Sequence, residues 1–356
     1  MAEAFVHETL PQRVAFAAGD AGSALEAEID ALEARRVMVI ASDRDAARVD
    51  AIVAGLPNVV RHTEVVMHVP VEVAQRARAV AAERDVDAVV AVGGGSTTGL
   101  AKAVALTTGV PVVAVPTTFS GSEATDVWGL TEDGVKTTGV DRRVLPRSVI
   151  YDATLLTTLP TDATVASGLN AVAHGVDAMW GPRADPIDRA LAEEGIRALR
   201  EGLIGLVGEP SGSGTVDDVE RTLYGAYLAA VAFASAGSAM HHKICHVLGG
   251  MFDLPHAPTH AVVLPHVLAF NVPNAPDAAA RIARALGADD AVAGLTDLRT
   301  RVSAPTALKD LGMPESGIES ALPRILAAIP ADNPTPVTET ALTTLLQAAY
   351  RGDDAL

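Results

Sequence analysis

The sequence predicts two domains of different class, an α/β domain with a parallel sheet followed by an all-helical domain. In the first half, short β-branched runs such as RRVMVIAS (35–42) alternate with helical stretches, which is typical of parallel strands joined by crossover helices. After about residue 160 the apolar residues recur with helical period. The chain has 356 residues, more than a single hydrophobic core commonly supports.

The elements of the first half follow one another in regular order. We predict an α/β domain over residues 1–158 and a helical domain over 159–356, where the only strand-like run is AVVLP (261–265). In chain order, the predicted strands and helices of the first domain are RRVMVIAS, helical DRDAARVDAIVAGL, VVRHTEVVMHVP, helical VEVAQRARAVAAERD, DAVVAVGGGS (87–96), helical TTGLAKAVALTTG, VPVVAVPTT (110–118) and SVIYD (148–152).

The composition limits the partners and the compartment. A formal charge of −17 repels phosphate backbones and anionic lipids, so we expect neither nucleic acid nor a membrane as a partner. The single cysteine, Cys245, cannot form an internal disulfide, which indicates a reducing compartment. We see no signal-peptide pattern and no apolar run of about 18 residues. We therefore expect a cytoplasmic protein.

Two loops at the carboxyl ends of predicted strands are candidates for binding a dinucleotide. AVGGGS closes one strand and opens a helix, so its glycines can bring backbone N–H groups and a helix dipole to a phosphate. The alternative is an ordinary tight turn, because the glycines are contiguous and do not form G-x-G-x-x-G. PTTFSGSEAT (116–125) leaves a neighbouring strand at the same edge, where open α/β sheets bind ligands. The candidate cofactor contacts are Gly93, Gly94, Gly95, Ser96, Thr117, Thr118 and Ser122.

Several of the ten histidines fall at related helical spacings. His242 and His246 in HHKICHVLGG are four residues apart, as are Asn170 and His174, and His256 follows after a turn. Helical histidines at this spacing often bind a metal, although a single helical histidine is more often simply packed. A carboxylate at position 170 would complete a divalent-metal site. Because Asn170 is neutral, we expect the affinity for such an ion to be lower.

These motifs resemble the iron-containing alcohol dehydrogenase superfamily, which is related to dehydroquinate synthase. The resemblance rests on GGGSTTGLAK, PTTFSGSEAT, LNAVAHGVDA and HHKICHVLGGMFDLPHAPTHAVVLPH, and it covers almost the whole chain. VKTTGVDRRVLPRSVIYD and HHKICHVLGG resemble its maleylacetate reductase branch. The resemblance implies a dehydroquinate synthase-like fold, with an N-terminal nucleotide-binding domain and a helical substrate and catalytic domain. It places the family's metal ligands at Asn170, His174, His242 and His256 and its catalytic-region histidine at His246, in a branch expected to require no metal.

The resemblance also implies an activity. It is the NADH- or NADPH-dependent reduction of the C=C bond of maleylacetate, or of a substituted maleylacetate, to 3-oxoadipate during degradation of aromatic compounds. The expected partners are this small dicarboxylate and a second copy of the chain in a homodimer. The acidic residue that selects NAD in the family falls on Ser42, with Arg44 nearby, so we expect NADPH to be accepted as well as NADH. Lys136 is a further candidate contact for the cofactor ribose or a substrate carboxylate.

A metal-free reduction needs other groups to hold the dianion. We hypothesise a cationic cage of His241, His242, Lys243 and His246 with His174 and His256, in which His246 is the preferred proton donor and His242 and His256 are alternatives. Asp177 and Asp253 could orient the rings. Two other classes stay open: a metal-dependent alcohol dehydrogenase acting on a C–O bond, and a dehydroquinate synthase-like relative that is not a reductase.

Overall fold

The computed structural model describes residues 4–132, 135–207 and 214–355, which form two compact units. The α/β unit spans Leu10–Leu159, and the helical unit comprises Pro160–Leu356 with the described part of Met1–Thr9. The predicted fold class, a parallel-sheet α/β domain followed by an all-helical domain, is confirmed. The segment before Leu10 belongs with the helical unit, where His7 Nδ1 lies 2.8 Å from Asp185 Oδ2.

A six-stranded parallel sheet forms the centre of the α/β unit, in the order β1-β8-β5-β4-β2-β3. Alternate residues of each strand face opposite layers of helices, because successive side chains of a strand point to opposite faces. Val37 and Val39 pack against α1 and α2, whereas Met38 and Ile40 pack against α3 and α4. The strands are β1 (Arg13–Phe16), β2 (Val37–Ile40), β3 (Val59–His62), β4 (Ala88–Gly93), β5 (Val112–Pro116) and β8 (Ser148–Tyr151), and the helices are α1 (Ala21–Ala31), α2 (Ala46–Ile52), α3 (Val71–Glu83) and α4 (Gly95–Thr108).

Strand β1, helix α1 and an antiparallel hairpin are absent from the sequence prediction. The hairpin joins β6 (Val127–Glu132) to β7 (Val135–Val140), and the indole of Trp128 lies over Gly139, where a Cβ atom would be 2.6 Å from the ring. The runs VWGLTE and VKTTGV lack a strict apolar alternation, so only the pairing of the two strands reveals them.

The helical unit is built from α-helices and short 3₁₀ turns over its described residues. The run AVVLP (261–265), expected to be extended, lies inside the helix His256–Asn271 and is fully buried. A short apolar run buried on all sides has no period that separates strand from helix, which explains the error. The helices are α5 (Thr161–Ala178), α6 (Pro186–Val207), α7 (Val216–Ala236), α8 (Met240–Phe252), α9 (His256–Asn271), α10 (Pro276–Ala285), α11 (Ala291–Arg301), α12 (Gly317–Ala328) and α13 (Glu339–Arg351).

Among the described residues, no single helix has the length and apolarity needed to cross a membrane. Helices α7 and α8 meet that test only when taken together, and they are bent by 96° where they join.

Helices α6 and α7 pack through glycines. A Cβ atom on Gly195 would lie 2.9 Å from the backbone nitrogen of Ala229, and one on Gly225 would lie 2.7 Å from that of Leu199. Both distances are shorter than real Cβ contacts, and the clashing atoms are backbone atoms that cannot rotate away. The close approach of these two helices therefore depends on the absence of side chains at both positions.

We predict that Gly225→Ala lowers the free energy of unfolding by about 1–3 kcal/mol, because the added methyl group overpacks the contact between α6 and α7. Gly249→Ala is the matched control, since the nearest atom to a Cβ there, the carbonyl oxygen of Leu254, is 4.0 Å away. Denaturant unfolding followed by fluorescence measures both. Equal stability of the two variants would contradict the prediction.

Candidate active site

The two candidate cofactor loops of the α/β unit lie against each other. The Thr117 backbone N–H donates to the Gly93 carbonyl oxygen at 3.0 Å. A Cβ atom on Gly94 would be 3.0 Å from Thr118, and one on Gly95 would be 3.3 Å from Ser120. Helix α4 starts at Gly95 and no side chain caps its N-terminus. The narrow cradle and the uncapped helix end fit a diphosphate group.

The remaining predicted contacts lie at several places in this unit. Ser96 is in the first turn of α4, and Ser122 begins a short 3₁₀ turn in the second loop. Ser42 follows β2, and its hydroxyl accepts a hydrogen bond from the Arg44 N–H at 3.3 Å. Lys136 lies on β7 of the hairpin, where burial lowers the pKa of its ammonium group.

A buried lysine that sequence reasoning missed anchors the second loop. Lys102 on α4 is fully buried, and its ammonium group donates to the Thr125 carbonyl, the Thr125 hydroxyl and the Val127 carbonyl at 2.8, 3.1 and 2.8 Å. Burial lowers its pKa to about 7. Glu123 in the same loop is also buried, and it accepts a hydrogen bond from the Tyr151 hydroxyl at 2.9 Å. The sequence feature that could have identified Lys102 is a single lysine inside the apolar run GLAKAVAL.

The helical unit gathers six histidines, which we call the imidazole cluster: His174 of α5, His241, His242 and His246 of α8, and His256 and His260 of α9. Rings of His242 and His260 are 4.7 Å apart between centroids, and those of His174 and His242 are 4.9 Å apart. His246 lies 6.0 Å from His242 and 6.3 Å from His256. The structure thus brings the five predicted histidines together. Lys243 is on α8 but makes no hydrogen bond to the cluster among the described residues.

His260 is the member that the sequence prediction missed. Its ring lies 4.9 Å from that of His241 and 4.4 Å from that of His256, measured between centroids. The sequence spacing could have identified His260, because His256 and His260 in HAPTH are four residues apart, as His242 and His246 are.

Asp177 of α5 orients one ring and the start of α8. It is fully buried, and its carboxylate accepts from the Nδ1–H of His242 at 2.8 Å. It also accepts from the backbone N–H groups of Ala239, His241 and His242 at 3.2, 3.3 and 3.1 Å. Burial raises its pKa to about 7, which the N–H donors oppose. The prediction that Asp177 orients a ring is therefore confirmed. Asp253, the other candidate, ends α8 in a left-handed conformation with φ of 51°.

For His174, His241 and His242, the surroundings oppose the positive charge that the predicted cationic cage requires. Burial lowers the pKa of His174 to about 4 and of His241 to about 3, and it lowers those of His242 and His260 further below the usual value. Removing an imidazolium ion from water is costly, and neighbouring rings would repel it. These four rings are therefore neutral near pH 7.

Cys245 is buried in the hydrophobic core, as expected for a packed thiol.

Unpartnered polar atoms concentrate around this cluster. Of the ten buried side-chain atoms without a hydrogen-bond partner among the described residues, five belong to Asn170 and the cluster: Asn170 Oδ1, His174 Nδ1, His241 Nδ1, His242 Nε2 and His260 Nε2. Each buried polar atom without a partner costs about 1–3 kcal/mol. Such a concentration in a folded protein indicates a site built to bind a polar ligand.

The family's metal positions carry three imidazoles and an amide in this chain, and no carboxylate. Over the described residues, ligand atoms of three side chains converge within 4.8 Å at His241–Cys245–His260 and at His7–Asp185–Asp188, and neither group is the family set. Burial raises the pKa of the Cys245 thiol well above its usual value, which disfavours the thiolate that a metal needs. The neutral amide of Asn170 supplies no charge. Without a carboxylate, this donor set is expected to bind a divalent cation less tightly than the family set would.

Acid should destabilise the helical unit. The folded pKa values of His174 and His241 lie below the usual 6.5, so the unfolded chain binds more protons as pH falls from 6.5 to about 4. We predict that the free energy of unfolding falls by about 1.4 kcal/mol per pH unit for each buried histidine. Denaturant unfolding of a Trp128→Phe protein measures this loss, because its remaining tryptophan, Trp180, lies in the helical unit. His174→Gln should reduce the slope by one proton. An unchanged slope would contradict the assigned burial effect.

Comparison with known proteins agrees with this architecture. Residues 11–153 match the family model described as iron-containing alcohol dehydrogenase, and residues 164–350 match the C-terminal model of the Fe-containing alcohol dehydrogenase family. Maleylacetate reductases of Sphingobium indicum and Burkholderia cepacia are 43% and 44% identical to this chain, over 98% of each chain.

Solved structures give the same result. An iron-containing alcohol dehydrogenase from Corynebacterium glutamicum superposes with a TM-score of 0.95 at 54% identity, over 99% of each chain. A maleylacetate reductase from Agrobacterium tumefaciens superposes with a TM-score of 0.91 at 39% identity, over 99% of each chain. The chain therefore belongs to the iron-containing alcohol dehydrogenase family and, within it, to the branch that contains the maleylacetate reductases.

Proposed function

We propose that this enzyme reduces the C=C bond of maleylacetate, or of a substituted maleylacetate, to give the 3-oxoadipate skeleton during aromatic degradation. The observation that carries the proposal is the set of unpartnered buried nitrogens in the imidazole cluster, together with an amide, Asn170, at the position of the family's metal-binding carboxylate. Relatives over 40% identical along nearly the whole chain bear the name maleylacetate reductase, which supports the same substrate. A metal-dependent alcohol dehydrogenase is disfavoured by Asn170.

NADH or NADPH is the proposed reductant. Gly93, Gly94, Gly95 and Ser96 would hold the diphosphate, with Thr117, Thr118 and Ser122 on the facing loop. A bound nicotinamide supplies the hydride. Lys102 keeps the facing loop in place through its three hydrogen bonds. Preorganised loops lose less conformational entropy on binding.

The choice between NADH and NADPH depends on the residues expected to contact the adenosine ribose. Ser42 carries no charge to repel a 2′-phosphate, and Arg44 is two residues away, so we propose that both cofactors are used. Lys136, a partly buried cation, would bind the ribose or a substrate carboxylate.

The helical unit is proposed to stabilise the enolate that conjugate reduction creates. Hydride adds to the carbon β to the ketone, the electron pair of the C=C bond moves to the ketone oxygen, and a proton is then added at the α carbon. Neutral imidazole N–H groups can stabilise that oxygen without a metal. We assign the proton donor to His246, with His256 as the alternative, because the Nδ1–H of His242 donates to Asp177. Lys243 of the same helix is the proposed cation for a substrate carboxylate.

Location and assembly belong to the same proposal. A single buried cysteine and an acidic composition support a cytoplasmic protein, and the family resemblance supports a homodimer. Light scattering of the purified enzyme measures the assembly directly.

Kinetics with paired substrates test the function. We predict NADH and NADPH oxidation with maleylacetate, and a kcat/KM far above that for simple aldehydes, in enzyme treated with chelator. Loss of nicotinamide absorbance is the measurement, and metal content is determined on the same sample. A stoichiometric divalent ion required for activity would contradict the metal-free proposal, and no cofactor consumption would favour a relative that is not a reductase.

A substitution at position 170 distinguishes metal-free reduction of a C=C bond from metal-dependent alcohol dehydrogenase chemistry. We predict that Asn170→Asp raises uptake of Zn²⁺ or Fe²⁺, because a carboxylate joins the family's ligand positions, and that it weakens binding of the dianionic substrate by charge repulsion. Metal analysis after dialysis and KM for maleylacetate are the readouts, with Asn170→Gln as the neutral control. If metal uptake and KM both match the control, our account of this position is wrong.

A further inference from the structure

Three side chains outside the imidazole cluster and the cofactor loops join the N-terminal segment to the start of α6. His7 Nδ1 lies 2.8 Å from Asp185 Oδ2 and 3.7 Å from Asp188 Oδ1. The three atoms all lie within 4.8 Å of one another. The His7 side chain is 10% exposed, that of Asp185 is 5% exposed and that of Asp188 is fully buried. An imidazole and two carboxylates are thus gathered in a place that is largely shielded from water.

The first turn of α6 fixes the direction of both carboxylates. Asp185 Oδ1 accepts from the backbone N–H groups of Ile187 and Asp188 at 2.7 and 3.0 Å. Asp188 Oδ2 accepts from the backbone N–H of Asp185 at 3.3 Å. This reciprocal arrangement resembles a capping box, which satisfies N–H groups that the start of a helix leaves without partners. Each carboxylate therefore uses one oxygen for the helix and directs the other toward His7.

The outer oxygen of Asp188 is the atom that points to a bound cation. It is buried and has no hydrogen-bond partner among the described residues, and its distance of 3.7 Å from His7 Nδ1 is too long for a hydrogen bond. A single N–H on His7 Nδ1 serves Asp185 and leaves Asp188 without a donor. Burial raises the pKa of Asp188, and the neighbouring Asp185 carboxylate raises it further. A cation between the two carboxylates would offset both the desolvation and the repulsion.

We propose that His7 Nδ1, Asp185 Oδ2 and Asp188 Oδ1 bind a divalent cation of the Zn²⁺ class. Imidazole and carboxylate groups are ligands that such ions take in proteins. A tetrahedral ion about 2.1 Å from each ligand separates its ligand atoms by about 3.4 Å. The two distances from His7 Nδ1, 2.8 and 3.7 Å, lie on either side of that value. The ion replaces the hydrogen between His7 and Asp185, and its two positive charges balance the two carboxylates.

The role of this ion is structural. It ties the N-terminal segment to the capped end of α6, and none of its ligands belongs to the imidazole cluster or to the cofactor loops. The inference therefore does not depend on the proposed reduction.

Zinc binding by the whole protein tests the proposal. Metal analysis after dialysis at a fixed Zn²⁺ concentration should find one ion per chain that His7→Gln and Asp188→Asn each bind at least about tenfold more weakly, because losing even a group that only supports a ligand costs that much. Asp162→Asn is the matched control, since it removes an exposed acidic residue from the first turn of α5, and it should bind Zn²⁺ as the unmodified protein does. His256→Ala removes one of the family's metal positions and should keep the ion.

Thermal unfolding in the His256→Ala background gives a second readout. Zn²⁺ should raise the melting temperature of this variant, because a ligand that binds only the folded state stabilises it, and adding His7→Gln should abolish the rise. His7→Gln leaves the capping contacts of α6 in place, so it decides the matter if Asp188→Asn does not fold. Zinc binding by His7→Gln equal to that of the unmodified protein overturns the proposal, as does loss of all bound zinc in His256→Ala. His7 is then only an ion-pair partner of the two carboxylates.

Discussion

The buried carboxylate of Asp177 organises the centre of the helical unit. It accepts hydrogen bonds from three backbone N–H groups at the start of α8 and from the ring of His242, so one side chain of α5 sets both where α8 begins and which way a histidine of that helix turns. The positive end of the helix dipole favours an anion at this place. Because α8 also carries His241 and His246, the arrangement of the imidazole cluster depends on this contact.

Burial then determines what these histidines can do. Burial lowers the pKa values of His174, His241, His242 and His260, which favours neutral rings with one donor nitrogen and one acceptor nitrogen each. Asp177 makes Nε2 of His242 an acceptor, and the contact of His241 Nε2 with His260 Nδ1 occupies one nitrogen of each of those rings. A neutral site suits charge that appears only in the transition state, because a fixed donor acts most strongly where charge develops. The neutral amide of Asn170 adds no further negative charge to that of Asp177.

In the α/β unit, buried ionisable side chains likewise hold the second cofactor loop in place. Lys102 lies beneath the second cofactor loop and Glu123 lies within it, and both are buried and hydrogen-bonded. Loops that bind a phosphate must expose backbone N–H groups, and these buried contacts hold the loop while its outer face stays available. In both units, therefore, a buried ionisable side chain fixes the backbone that carries the ligand-binding groups.

The sequence alone determined the fold class, the order of most strands and helices, and the motifs from which five of the six clustered histidines and the paired loops were chosen. Periodicity and spacing are local properties, so they can be read along the chain. Only the tertiary structure revealed the hairpin, the helical state of AVVLP, the role of Lys102 and the place of His260 in the imidazole cluster. It also showed that burial lowers the pKa values of several of the histidines expected to be cationic. Charge state and hydrogen-bond polarity depend on desolvation and on neighbours distant in sequence, and spacing along a helix carries no information about either.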